Sequence, residues 1–297
     1  MFTRRIPYTT TPSGKTVQDW DTSAAIDTSF LAQALSYVRM HGHLPPRLQS
    51  KEDQNEDAGP CVPESLVVDL RREVEERIAA AVGQGQGQAE GRRCTPTLVF
   101  MEGFLLYAPP EGYEYKSTAR DGAATTSVSD ENYPTDHGVL RPVHAQIGLP
   151  LFLPAAYTTV KQRREGRGGY VTIGPAPHPP TLTPTTTLPP QKDEEKVEID
   201  LDAEDDRPPQ NFWTDPPGYV DDIVWPRYVR DHAWLLIGGE GEGEGEGEGD
   251  IVARVGEGVD VREDVGVRVA PGKGAVGMEV VLRWAVEEVM GFYLGKR

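Results

Sequence analysis

Four stretches of this chain cannot be built into a packed core, and they dictate how the rest can be arranged. Residues 83–91, 109–134, 174–209 and 238–249 are dominated by glycine, proline, threonine, serine or acids and show no apolar periodicity. Fixing one residue costs roughly 1–2 kcal/mol, and these segments hold too little apolar surface to offset it. They are expected to be long disordered insertions with few tertiary contacts. Of the 32 glycines and 26 prolines of the 297-residue chain, 14 and 12 fall there, more than the length of these stretches would give by chance. The remainder is expected to build one compact domain rather than two.

The formal charge of -17 argues against nucleic acid as a partner, because phosphate contacts need a basic surface. Much of that acidity lies in residues 193–206 and in the Gly-Glu alternation that begins at Gly239, so the folded part is less acidic than the whole. Cys61 and Cys94 have neither metal-ligand spacing nor the pattern of a disulfide framework, which fits a reducing compartment. No second histidine stands at a metal-ligand spacing from His232, which is expected to be structural or exposed. No apolar run is long enough to span a bilayer, and no signal-peptide core is present. These features predict a soluble protein, cytoplasmic, with the nucleus as the alternative.

Basic charge gathers in one place. A short apolar strand at residues 149–153 runs into a predicted helix over 156–167, where Val160, Arg163, Arg164 and Arg167 recur at i, i+3, i+4 and i+7. Three guanidinium groups on one face before a glycine pair can form a mobile lid over a phosphorylated ligand. They can equally form a solvated face that pairs with nearby acids.

Ser13, Gly14, Lys15 and Thr16 invite a phosphate-loop reading, which the context rejects. The glycine required five positions before Gly14 is Thr9, and neither a buried strand before nor a helix after is present. A helix is predicted over 28–41, with Asp27 as its N-cap, an apolar stripe of Phe30, Leu31, Ala34, Leu35 and Val38, and Gly42 as its stop. Just ahead of it, Trp20 and Asp21 can reach a cleft or serve as core and turn residues. A second amphipathic helix is predicted from Glu64 to Val82. Residues 97–101 read as a buried parallel strand that presents Glu102 at its carboxyl end, either to a site or as an ordinary turn acid. Asp215, Pro216, Pro217 and Gly218 read as a turn, followed by a helix with Pro226 in its first turn. A strand at 265–269 and a helix at 278–290 complete an α/β pattern.

Four of these blocks, in order, resemble the nicotinamide riboside kinases, phosphate-loop kinases related to the uridine kinases. They are Val17-Gln-Asp-Trp-Asp21, Phe100-Met-Glu-Gly-Phe-Leu-Leu-Tyr107, Tyr157 through Arg167, and Asp215-Pro-Pro-Gly-Tyr-Val-Asp-Asp-Ile-Val-Trp-Pro226. The resemblance implies a parallel α/β sheet with flanking helices of the P-loop NTPase type, and ATP-dependent phosphorylation of a nucleoside 5′-hydroxyl with Mg2+. By the same resemblance Trp20 stacks on the nicotinamide ring, and Asp21 and Arg164 bind the ribose hydroxyls. Glu102 is the acid near the magnesium waters, Arg163 and Arg167 face the ATP phosphates, and Tyr170, one residue out of register, is the second ring. The family's pattern opens with a P-loop strand and helix and a catalytic aspartate motif that this sequence does not show. The resemblance therefore implies a domain lacking its phosphate cradle and inactive as it stands, with an open gap between residues 97–101 and 149–153. A non-catalytic relative that binds a nucleoside or a protein, and another uridine kinase-type enzyme, are the alternatives.

Overall fold

The computed structural model describes residues 6–46, 48, 62–83, 97–111, 137–167, 170–173, 210–236, 255, 262 and 264–295. The expected insertions fall almost wholly outside those residues. In chain order the described elements are β1 (Tyr8–Thr10), β2 (Thr16–Gln18), α1 (Thr28–His41), α2 (Glu64–Gly83), α3 (Arg141–His144), β3 (Leu151–Phe152) and α4 (Tyr157–Glu165). There follow β4 (Tyr170–Ile173), β5 (Gln210–Trp213), a π-helical turn at Val220–Val224, α5 (Trp225–Leu236), β6 (Arg268–Val269) and α6 (Met278–Tyr293). The architecture is mixed α/β with small sheets.

Each helix starts and stops for local reasons. The Asp27 carboxylate accepts the Phe30 N–H at 3.0 Å, which satisfies one of the orphan donors at the start of α1. Gly42, at φ 74°, ends that helix in the left-handed conformation that glycine adopts without strain. Leu31, Ala34 and Val38 point inward, as the periodicity predicts, and α1 packs on α3, whose Val143 is fully buried. Helix α2 buries Leu66 and Leu70 and lies against α6, with Arg77 and Glu287 paired across the contact at 2.6 Å.

The three sheets are each two-stranded among the described residues. Strands β1 and β2 form an antiparallel hairpin with Thr9 opposite Val17. In its loop the Thr11 N–H donates to the Lys15 carbonyl at 2.9 Å, so Gly14, Lys15 and Thr16 belong to a hairpin, in keeping with their missing P-loop context. Strands β4 and β5 pair antiparallel, Tyr170 opposite Trp213. Strands β3 and β6 pair in parallel, Leu151 opposite Arg268 and Phe152 opposite Val269. This short ladder is the parallel pairing among the described residues. It sits on the main apolar cluster, where Phe152 and Val267 meet Trp225, Val229, Trp234, Leu235 and Leu236 of α5. A second cluster joins Val17 of the hairpin to Tyr219, Val220, Ile223 and Val224.

Two local expectations are corrected, and a third holds with an added feature. Residues 97–101 form no ladder, and Leu98, Val99 and Phe100 are exposed, Phe100 at 76%. A strand exists only through neighbours, and the Leu151 carbonyl of β3 instead accepts the Tyr107 hydroxyl at 2.7 Å. The buried residues of this stretch are Leu105, Leu106 and Ala108, farther along the chain. Helix α4 stops at Glu165 rather than Arg167, because the glycines from Gly166 onward propagate a helix poorly. Pro226 stands in the first turn of α5, as expected, and a π-helical turn precedes that helix. The wider π turn at Val220–Val224 leads into a residue that has no N–H to continue an α-ladder. No helix among the described residues is long and apolar enough to cross a membrane.

Leu235 is fully buried where α5 meets the parallel ladder. Leu235→Ala should lower unfolding free energy by about 2–5 kcal/mol, measured by urea denaturation, since a side chain enclosed on all sides leaves a cavity. A loss under ~1 kcal/mol would mean that this cluster does not hold the domain together.

Candidate functional site

Three parts of the chain that are far apart in sequence meet around one guanidinium. The first is the segment after the hairpin, 19–21. The second is α4, which carries Arg164 as its penultimate residue. The third is the turn that follows β5, where the Tyr219 N–H donates to the Pro216 carbonyl at 3.0 Å and Gly218 sits at φ 80°. Pro217 and a positive-φ glycine as the central pair are what a type II turn requires, and they set Asp215 on one side and Tyr219 on the other.

Arg164 uses both edges. Its Nε and Nη2 donate to Asp215 Oδ2 and Oδ1 at 3.0 and 3.1 Å, and its Nη1 and Nη2 donate to Asp21 Oδ1 and Oδ2 at 2.9 and 3.4 Å. Asp215 thus holds the side of the fork with two well-formed bonds, while Asp21 takes the end with one short and one long bond. All three side chains are largely buried. The Trp213 indole N–H donates to Asp215 Oδ1 at 2.9 Å. The Trp213 ring lies 5.8 Å from the Trp20 ring and 5.8 Å from the Tyr219 ring.

The segment 19–21 is pinned from behind. Asp19 is fully buried, pairs with Arg227 of α5 at 2.8 Å, and accepts the Asp21 N–H at 3.2 Å. The Trp20 N–H donates to the Tyr219 hydroxyl at 3.0 Å. Helix α4 is tied to the π turn by a second pair, Lys161 to Asp221 at 2.6 Å. Burial pushes the Asp19 and Asp21 carboxyls above the usual aspartate value, against the pull of Arg227 and Arg164 respectively. Burial also raises the Tyr219 hydroxyl, and the Asp21 charge adds to the effect, so that hydroxyl remains protonated. Two carboxylates on one guanidinium, beside the balanced Asp19 and Arg227 pair, leave the cluster with an excess of negative charge next to indole faces.

The anticipated residues are distributed unevenly. Asp21 and Arg164 are in direct contact, and Trp20 is beside them. Its indole Nε1 is enclosed without a hydrogen-bond partner among the described residues. Arg163 and Arg167 are exposed at the end of α4, so the single arginine face is split, with Arg164 alone turned inward. Glu102 is exposed, in the segment that forms no ladder. The backbone of Tyr170 pairs with Trp213, and its side chain lies outside the described residues.

Asp215, Trp213, Tyr219, Asp19 and Arg227 escaped sequence reasoning. The signal available for Asp215 was an acid opening a Pro-Pro-Gly turn within an aromatic block, which reads as turn chemistry alone. An open cavity of about 510 Å3 between residues 108–110, α3 and Asp264 is lined by none of the cluster residues.

The donor set fits a nucleoside. An adjoining carboxylate and guanidinium match the two hydroxyls of a ribose, a flat indole ring matches a base, and the enclosed Trp20 indole N–H lacks an acceptor among the described residues. The described residues do not fit the triphosphate and its Mg2+ in the same way. The glycine-rich turn Pro271–Gly274 between β6 and α6 lacks P-loop spacing, since Val267 stands five positions before Gly272 and Gly274 rather than Ser or Thr follows Lys273, and the described residues hold no group of three or more acidic, His or Cys side chains able to hold a metal ion.

A curated nicotinamide riboside kinase of Schizosaccharomyces pombe (strain 972 / ATCC 24843) is 23% identical to this chain over 226 residues, 75% of the chain. The matched region is 62% of that relative's length. No protein-family profile matches the chain. No solved structure matches it either.

The raised Asp21 carboxyl makes a pH prediction. A group whose folded value lies above its unfolded 3.8 binds protons more tightly when folded, so its contribution to stability is fully present below 3.8 and is lost as pH rises through the folded value. The difference in unfolding free energy between the wild type and Asp21→Asn should therefore fall as pH rises from 3.8 toward neutrality. Denaturant titrations across that range measure it, and a difference that grows with pH contradicts the burial argument.

Proposed function

We propose that this cluster is the nucleoside site of a nicotinamide riboside kinase-like protein with a P-loop NTPase-type α/β fold, and that its ligand is nicotinamide riboside. The observation that carries the reading is Arg164 held between Asp21 and Asp215 beside Trp20 and Trp213. Asp21 accepts from the two ribose hydroxyls and Arg164 donates to their oxygens, which fixes the sugar by its 2′ and 3′ edge and leaves the 5′ end pointing away from the pair. The nicotinamide ring carries a positive charge. Indole faces and an excess carboxylate favour such a ring over a neutral pyrimidine, which argues against the uridine kinase-type alternative. The similarity to the fission-yeast nicotinamide riboside kinase supports the same ligand.

ATP with Mg2+ supplies the phosphoryl group in a kinase of this kind. Here Arg163 and Arg167, exposed next to Arg164, would contact the phosphates, and Glu102 would serve the magnesium waters. The described residues nevertheless supply binding and orientation of the nucleoside rather than a cradle for the phosphates. This chain by itself is thus expected to bind nicotinamide riboside and to transfer little or no phosphate to it, the behaviour of a nucleoside-binding relative.

Tryptophan fluorescence titration tests the reading. Nicotinamide riboside should quench the emission, uridine should bind more weakly, and Arg164→Ala should weaken the riboside by at least about tenfold, the loss of one charge-assisted contact. ADP formation with ATP and Mg2+ should stay near background. No binding of nicotinamide riboside overturns the proposal. Uridine binding that equals or exceeds it favours the pyrimidine alternative, and rapid turnover overturns the inactive assignment.

A further inference from the structure

We infer that Asp215, braced by the Trp213 indole, is the positioning residue of this site, and that Trp213 packs on the Trp20 ring and holds it at its angle to the base. This rests on the nucleoside reading above and adds two residues to it. The argument begins with the geometry of the fork. Asp215 grips Arg164 along its Nε edge through two bonds of 3.0 and 3.1 Å, and that edge points back toward the helix from which the side chain extends. Asp21 meets the outer end, where the second bond stretches to 3.4 Å. Of the two carboxylates, Asp21 is the one that a competing pair of hydroxyls displaces more readily, because less hydrogen bonding is lost there.

Binding is therefore an exchange at one end of the guanidinium. The terminal nitrogens turn from Asp21 to a vicinal diol, Asp21 accepts the diol protons, and the Asp215 grip stays closed throughout. Without Asp215 the arginine would lose its second support. It would either collapse fully onto Asp21, masking both diol partners, or swing out with Arg163 and Arg167 toward solvent. The grip also sets the charge. Asp215 balances Arg164 when Asp21 is engaged with the sugar, so the site stays anionic overall beside the rings.

Trp213 makes the positioning rigid. Its Nε1 donates to Asp215 Oδ1 at 2.9 Å, and its ring is 5.8 Å from Trp20 at an interplanar angle of 54°. One side chain thus orients the carboxylate that holds the arginine and packs on the Trp20 ring, the face offered to the base. It stands in β5 directly across the ladder from Tyr170, whose backbone it pairs with. A residue that links ring and clamp in this way makes recognition of the base and of the sugar interdependent.

The test uses nicotinamide riboside and its 2′,3′-dideoxy counterpart, with affinities read by tryptophan fluorescence or calorimetry on folded protein checked by circular dichroism. Asp215→Asn should weaken the riboside by about ten- to hundredfold, the worth of a charge-assisted contact, and the dideoxy compound by much less. Asp215→Glu should restore part of the loss. Trp213→Phe keeps a ring but removes the bond to Asp215, so it should show a smaller loss, again larger for the riboside than for the dideoxy compound. Equal losses for both compounds in Asp215→Asn and Trp213→Phe would reduce these residues to structural supports and overturn the inference while leaving the nucleoside reading intact. Failure of the wild type to bind nicotinamide riboside overturns the nucleoside reading itself, and this inference with it.

Discussion

The Arg164 guanidinium, shared between Asp21 and Asp215, holds together segments separated by 143 and 51 residues of sequence. Removing three ionised groups from water is costly. The cost is met only because the fork has good geometry on one edge and because the Trp213 N–H satisfies a further lone pair of Asp215. Removing one partner from such a buried arrangement typically costs about 3–5 kcal/mol, since the others remain desolvated without compensation. The hairpin, α4 and the Pro-Pro-Gly turn, brought together by the apolar cluster of Val17, Val160, Tyr219 and Ile223, are tied to one another by this ion-pair cluster. Lys161 and Asp221 repeat the tie one turn earlier on α4, at a more exposed location where it contributes less.

Aromatic packing supplies the apolar half of the same construction. Trp20, Trp213 and Tyr219 stand around the ion pairs, and Tyr157, Trp225 and Tyr228 continue the layer toward the main cluster under β3 and β6. Such rings exclude water from the charges and strengthen each interaction between them. They also explain why a helix as polar as α4 stays docked. It buries no residue completely, and it is held by Val160, by the ring of Tyr157 and by its charges. A site built in this way is already organised before a ligand arrives, and what changes on binding is the partner at one end of one guanidinium.

The sequence by itself determined the helices, because their information is local. Asp27 and Gly42 bracket α1 where the cap chemistry places them, and the apolar stripes of α1 and α2 bury the expected Leu31, Leu66 and Leu70. The hairpin nature of Gly14, Lys15 and Thr16 also followed from neighbouring residues alone. The clustering of basic charge on α4 was legible, but not the direction in which each arginine points. Gly166 ends that helix early, and Arg164 turns inward to Asp21 and Asp215 while Arg163 and Arg167 are exposed.

Tertiary structure decided what depends on partners distant in sequence. Whether residues 97–101 form a strand depends on a neighbour to share a ladder, and apolar composition cannot reveal that none is in place among the described residues; Leu106 is buried instead between α1 and α3, and Leu105 against Leu140 and Ile26. Asp215 looked like a turn residue because its turn is local, while its charge is used by an arginine 51 residues earlier. Asp19 likewise acquires its role from Arg227, 208 residues away. An ion pair leaves no periodic trace in a sequence, since its two members need share nothing but opposite charge. Which acid meets which arginine is settled only when the hydrophobic clusters have brought the segments that carry them together.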